Sequence, residues 1–219
     1  MFAYPPQTAF NRVVPKAKLY AHATVSRRVK DLFVEQISEV VWRNKLSPET
    51  VNLPARGAIQ EIQVFELVLR TPDVDEAVLQ TIDKAIPFPI AFKATYDGAV
   101  RYAIAPKRSS EADESKWVLG PRFVTEPRPI ASETLLPLPV ALDLASLYEQ
   151  IVRRHIPLAA RDGEALTAHV ERYAALRAKQ LLARTLETRL AAEKQFNRKI
   201  ELNASLRNVR DEIDSLTKA

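Results

Sequence analysis

The sequence predicts an α+β fold: a largely antiparallel sheet of about four strands with packed helices, followed by a long C-terminal helix or helical hairpin. Two observations predict it. In residues 1–157, apolar runs of period 2 occur among segments of helical periodicity. In residues 164–219, Gly and Pro are absent and Ala, Leu, Glu, Arg and Lys dominate, which is typical of long helices. We expect residues 158–163 to link an α+β domain to this helical segment.

The first predicted element is an amphipathic helix over residues 24–46. Its apolar residues recur at helical spacing, and Thr24 or Ser26 is available as the N-cap. A strand follows at about residues 59–70. Because apolar side chains occur on both of its faces, we expect this strand to be covered on both sides.

A short helix and a hairpin complete the middle of the domain. Residues 71–86 are predicted to be helical, with Thr71 as the cap and acidic residues in the first turn. Asp97-Gly98 then stands between two runs of period-2 alternation, which is the signature of a two-residue β-turn. A further strand is predicted in residues 116–126, where Gly120-Pro121 interrupts it.

The domain ends in a predicted helix over residues 140–156, which Pro157 stops. Its expected buried stripe comprises Val140, Leu144, Leu147, Tyr148, Ile151 and Val152.

The C-terminal segment carries a heptad pattern in its last part. Spacings of 4, 3, 4 and 3 separate Leu202, Leu206, Val209, Ile213 and Leu216. Extended backwards, this register misses the upstream Leu182, Leu186 and Leu190, so the two parts are out of phase, as at a stutter or a helix reversal. The pattern predicts a packed helix or coiled coil whose partner is the same chain, a second copy or another protein.

The composition excludes several functional classes. The chain has no cysteine, so it forms no disulfide or thiolate site, and a reducing cytoplasm is the expected location. No apolar run of about 18 residues predicts a membrane span, and the N-terminus lacks the apolar core of a signal peptide. The few glycines form no phosphate-binding loop, so we expect no cofactor. The net charge of +5 permits contact with nucleic acid or an acidic partner.

The sequence assigns no catalytic residue and no metal ligand. The three histidines are far apart and lack ligand spacing. One alternative is a metal-dependent nuclease, because Asp97 precedes Glu114 and Lys116 in a pattern that can hold Mg²⁺ and position a water. However, Asp97 is better explained as the turn residue of Asp97-Gly98.

Two basic clusters are the candidate contact sites. The first comprises Lys107, Arg108 and Lys116 beside Trp117. The second is the sequence EKQFNRKIELN, whose candidate residues are Lys194, Gln195, Phe196, Asn197, Arg198, Lys199 and Asn203. Cations can bind phosphates and amides can read base edges. Equally, amides within a helical seam can set its register, and the charges can simply be solvated.

Several blocks carry a family resemblance, in particular FNRVVPK, EIQVFEL, IDKAIPFPIAF, LPLPVALDLASLYEQIVRRHIPL and EKQFNRKIELNASLR. From about Tyr4 to Leu216 the chain resembles an uncharacterised bacterial family catalogued as domain of unknown function 4391. The resemblance implies a genomic setting beside a superfamily-2 helicase and a DNA methyltransferase, in restriction-like or phage-defence clusters. It carries no catalytic residue over to this chain.

Together these observations favour a non-catalytic accessory or scaffold subunit of such a defence system. Its C-terminal segment would dock on the helicase or the methyltransferase, or pair two copies of the chain, with DNA as a further contact. The alternatives are the metal-dependent nuclease and a stand-alone nucleic-acid-binding protein.

Overall fold

The computed structural model describes residues 2–21, 25–110 and 117–218. The chain divides into two units, Met1–His155 and Ile156–Ala219. The first unit contains a β-sheet with helices and the second a pair of long helices; the predicted linker falls within the second unit.

The described residues form seven α-helices and eleven strands, some of only two residues. The helices are α1 (Lys16–Ala21), α2 (Arg27–Gln36), α3 (Pro48–Val51), α4 (Glu76–Ala85), α5 (Leu144–Arg153), α6 (Leu166–Ala192) and α7 (Phe196–Thr217). The strands are β1 (Phe2–Ala3), β2 (Ala9–Val13), β3 (Ile37–Leu46), β4 (Ile62–Leu69), β5 (Ile90–Tyr96), β6 (Ala99–Ile104), β7 (Lys107–Ser109), β8 (Trp117–Leu119), β9 (Phe123–Val124), β10 (Arg128–Pro129) and β11 (Leu136–Pro137). None of the helices in these ranges combines the length and apolarity that a membrane span requires.

The central sheet is mixed, whereas we predicted a largely antiparallel sheet of about four strands. Within the described ranges it has seven strands in the order β10-β6-β5-β4-β3-β2, with β9 also paired to β6. Strand β4 runs parallel to β5 because α4 forms a crossover between them, while the other pairs are antiparallel. The strand number was underestimated because β3 was mistaken for a helix, and β2 and the two-residue β10 were not recognised. The strand predicted in residues 116–126 is two strands, β8 paired with β7 in a separate sheet and β9 paired with β6.

The helix predicted over residues 24–46 is wrong in its second half, which is the ten-residue strand β3. Apolar spacing in this region fits both periodicities, and the structure buries Val40 and Val41 on opposite faces of a strand that pairs with β2 and β4. The N-terminal half is confirmed as α2. Its cap is Ser26, whose hydroxyl accepts a hydrogen bond from the Val29 amide at 3.4 Å.

Two further expectations are confirmed in the middle of the unit. Strand β4 is covered on both faces, with seven of its eight residues buried. The β5–β6 hairpin turns at Asp97 and Gly98, whose φ angles of 44° and 73° are the left-handed pair that this two-residue turn requires. By contrast, α4 begins later than predicted: Asp75, not Thr71, is its N-cap and accepts from the Ala77 amide at 2.8 Å.

Helix α5 also begins later than predicted. Asp143 and Ser146 form a reciprocal capping box, with the Ser146 amide donating to the Asp143 carboxylate at 2.7 Å. Val140 therefore lies before the helix and is 93% exposed, not part of the buried stripe. The rest of the stripe is buried as expected, at Leu144, Leu147, Tyr148, Ile151 and Val152.

The second unit is a helical hairpin, which resolves the choice between one helix and two. Helices α6 and α7 run antiparallel, and residues 193–195 reverse the chain between them. Ala183 and Leu186 of α6 pack against Leu206 and Val209 of α7, so the out-of-phase leucines reflect a helix reversal. Leu190, Leu202 and Ile213 pack around this cluster. The upstream seam uses Ala183 where we predicted Leu182, which is 42% exposed.

Candidate interaction site

Residues 193–203, here called the hairpin tip, comprise the turn and the first two turns of α7. The Glu193 carboxylate holds the turn, because one of its oxygens accepts hydrogen bonds from the amides of Lys194 and Gln195, both at 2.8 Å. These bonds favour the ionised carboxylate and lower the pKa of Glu193. Gln195 is the N-cap of α7, but its side chain makes no capping hydrogen bond.

Every residue of the second basic cluster is exposed on this tip. Its most unusual feature is apolar: Phe196 is 75% exposed and Ile200 is 53% exposed. Because they are four residues apart in α7, their side chains lie on the same face of the helix. Lys194, Arg198 and Lys199 are exposed in the same segment, so the tip presents an apolar pair and three cations.

A shallow groove of about 480 Å³ opens between the end of α6 and the start of α7, on a different face of α7 from Phe196 and Ile200. It contains both signs of charge, from Arg189 and Arg198 on one hand and Glu193 and Glu201 on the other. Leu202 also lines the groove and connects it to the buried seam. A groove with both signs of charge and an apolar base can accept a protein segment whose charged and apolar groups are complementary to it.

At the other end of the hairpin, two arginines bind the C-terminal end of α7. The Arg172 guanidinium donates to the carbonyl oxygens of Leu216 at 2.7 Å and Ala159 at 2.6 Å, and to the Glu164 carboxylate at 2.7 Å. Arg161 similarly donates to the carbonyl of Ser215 at 2.7 Å. These bonds satisfy the last carbonyls of α7. The ion pair with Arg172 lowers the pKa of Glu164 to about 2.

The seam residues predicted for α7 face α6 of the same chain. Leu206 and Val209 are buried there, Leu202 and Ile213 are partly buried, and Leu216 is half-buried near the Arg172 anchor. In this structure the seam therefore closes the hairpin, and the surface available to another molecule lies outside it.

In the first basic cluster, Lys107 is buried and is therefore not part of the surface that we predicted. Its ammonium donates to the carbonyl oxygens of Asp83 at 2.6 Å and Phe88 at 3.0 Å, at and beyond the end of α4, and lies 5.6 Å from the centre of the Trp117 ring. Burial lowers the pKa of Lys107 to about 8. Arg108 is exposed, and Lys116 lies outside the described residues.

The nuclease pattern is only partly visible. Asp97 forms the β5–β6 turn, while Glu114 and Lys116 lie outside the described residues, so that alternative stays a prediction. Within the described ranges, no group of three His, Cys, Asp or Glu side chains is arranged to hold a metal ion.

Sequence reasoning missed a second concave site, which lies in the first unit. It is a cleft of about 420 Å³, here called the aromatic cleft, lined by Phe10, Arg12, Val13, Val14, Pro15, Lys18, Leu19, Trp42, Gln63, Phe65, Ala85, Ile86, Pro87 and Phe88. Phe10, Trp42 and Phe65 come from three strands and Phe88 lies between α4 and β5, so no local motif marks the cleft.

The comparisons with known proteins bear on the whole chain. No curated protein and no solved structure matches it. The family model described as "Domain of unknown function (DUF4391)" matches residues 2–213, which include both units almost completely. A match over this length does not depend on a single motif such as the hairpin tip. The chain therefore belongs to the family described as Domain of unknown function (DUF4391).

Proposed function

We propose that this protein is a non-catalytic accessory subunit that docks on a partner protein through the hairpin tip. The observation that carries the proposal is the exposed pair Phe196 and Ile200, which lies in a segment with the exposed cations Lys194, Arg198 and Lys199. Large aromatic and aliphatic side chains at the centre of a polar rim are the usual anchors of protein interfaces. Burying such a pair against a partner is favourable by roughly 25 cal/mol for each Å² of apolar surface removed from water.

The closed seam supports the choice of the tip. Because Leu206 and Val209 already pack against α6, a partner cannot use them without opening the hairpin. A partner that binds the folded hairpin must use exposed residues instead. The tip offers the apolar pair and exposed cations on α7, and a separate groove between α6 and α7.

The family resemblance suggests the partner. We propose the superfamily-2 helicase or the DNA methyltransferase of a bacterial restriction-like or phage-defence cluster, which places the complex in the cytoplasm. The role is assembly and positioning, not bond-making. Lys194, Arg198 and Lys199 would meet carboxylates of the partner, or phosphates of DNA held by it.

Co-purification from cells that carry the native gene cluster tests this proposal. A tagged chain with Phe196→Ala and Ile200→Ala is expected to lose the helicase or methyltransferase that the unaltered chain retains. Leu181→Ala is the matched control, because Leu181 is a 67% exposed leucine on α6, outside the tip. Capture of neither protein by the unaltered chain, or equal capture by the double variant, would overturn the proposal.

A further inference from the structure

The aromatic cleft has an ordered wall of rings. Phe10 on β2 contacts Trp42 on β3 with ring centres 4.1 Å apart, and Trp42 stacks on Phe65 of β4 at 5.9 Å with an angle of 12° between the rings. The indole N–H of Trp42 donates to the carbonyl of Asn44 at 3.0 Å, which fixes the orientation of its ring. The wall is therefore positioned before any ligand binds.

The charge at the cleft has one sign. The Arg12 guanidinium lies 4.4 Å from the centre of the Phe10 ring, and Lys18 of α1 lines the same cleft. Among the described residues that line the cleft, none carries a carboxylate. An apolar concavity with two cations and no anion favours a ligand that joins a flat apolar group to a negative charge.

The basic character continues beyond the cleft. The first 30 residues contain six Lys and Arg and no Asp or Glu, although the whole chain has 27 acidic residues. Lys16 is used internally, since its ammonium donates to the carbonyls of Phe33 and Ile37. The other five, which are Arg12, Lys18, Arg27, Arg28 and Lys30, are exposed. Two of them, Arg12 and Lys18, line the cleft, so it offers one cation to each of two phosphates.

We propose that the aromatic cleft binds an unpaired nucleotide within a single-stranded nucleic acid. The base packs into the cleft against Phe10 and Trp42, while Arg12 and Lys18 bind the adjacent phosphates. The cleft volume of about 420 Å³ suits one base and its sugar. A base in a duplex is stacked and cannot enter such a cleft, whereas an unpaired base can stack on aromatic side chains. The inference does not depend on the proposed docking role of the hairpin.

Titration of the purified full-length protein with a twelve-nucleotide single-stranded DNA tests this inference through the fluorescence of Trp42, in a Trp117→Phe background that removes the signal of the second tryptophan. We expect saturable quenching, and Phe10→Leu should weaken binding by at least about fivefold because the aliphatic side chain removes a stacking face. Phe10→Tyr keeps the ring and should bind like the unaltered protein. A matching duplex and a free mononucleotide are the comparison ligands, and both should bind more weakly than the single strand.

A charge-reversal variant tests whether Arg12 binds phosphate. Arg12→Glu on edge strand β2 should weaken binding and reduce the salt dependence of the affinity. Arg128→Glu is the matched control, because Arg128 is exposed on β10 at the opposite edge of the same sheet. No quenching at about 100 µM strand, equal losses for the two reversals, or equal affinity for the mononucleotide or the duplex would overturn the inference. Circular dichroism of each variant confirms that it is folded.

Discussion

Truncation of Leu206 tests how the hairpin is held together. Leu206 is buried between α6 and α7, in a cluster with Ala183, Leu186 and Val209. Replacing a buried leucine by alanine costs about 2–5 kcal/mol, depending on how far the site collapses around the cavity. This cluster is small and bordered by half-buried residues, which allows collapse, so we expect Leu206→Ala to cost about 2–3 kcal/mol of hairpin stability.

Hydrogen exchange of the backbone amides in α6 and α7 is the appropriate assay, because it reports the opening of the hairpin separately from the first unit. A loss of 2–3 kcal/mol corresponds to about 30- to 150-fold faster exchange of the most protected amides. Leu181→Ala removes an exposed leucine of the same helix and should change exchange little.

Protein concentration distinguishes packing within the chain from packing between two copies. The reasoning predicts that both the exchange rates and the effect of Leu206→Ala are independent of concentration. Protection that rises with concentration would show that the seam joins two chains, because the stability of a dimer depends on the concentration of its subunits. An effect of Leu206→Ala below about 0.5 kcal/mol would show that the seam is not buried as described.

Three further predictions concern ion-paired or buried titratable groups. Asp83→Asn should destabilise the first unit by about 1–3 kcal/mol in denaturant unfolding, because it removes the buried carboxylate 2.8 Å from the Arg122 guanidinium and leaves Arg122 paired with the half-exposed Glu76. Burial lowers the pKa of His155 from 6.5 to about 4. As the pH falls, the unfolded chain therefore binds a proton before the folded chain does, and the free energy of unfolding should fall by roughly 3 kcal/mol between pH 6.5 and 4. His155→Gln should remove this fall. Pairing with Arg172 lowers the pKa of Glu164 from 4.5 to about 2, so this pairing stabilises the hairpin above pH 4.5 and is lost as the pH falls towards 2. Glu164→Gln should remove that part of the acid sensitivity of hydrogen exchange in α6 and α7.

Features that depend on local chemistry could be predicted from the sequence. The β5–β6 turn follows from Asp97-Gly98 because few residues adopt left-handed backbone angles without strain. The break between α6 and α7 is visible as a shift in the apolar register, although the shift alone fits a stutter as well as the reversal that the structure has.

Features that depend on long-range packing could not be predicted in this way. Residues 37–46 have an apolar spacing that fits a helix or a strand, and only pairing with β2 and β4 decides between them. Lys107 resembles a surface cation in sequence, but the carbonyls that bind its ammonium come from a helix end about 20 residues earlier in the chain. The aromatic cleft combines Phe10, Trp42 and Phe65 from three strands, so only the folded sheet reveals it.

A photoreactive phenylalanine analogue at position 196, in cells that carry the native gene cluster, tests the docking of the hairpin tip. Irradiation should cross-link this position to the helicase or the methyltransferase, while the same analogue at position 181 on α6 gives no such product. Cross-linking of position 196 only to a second copy of the chain, or to no protein at all, would contradict the central claim that the hairpin tip docks on a partner.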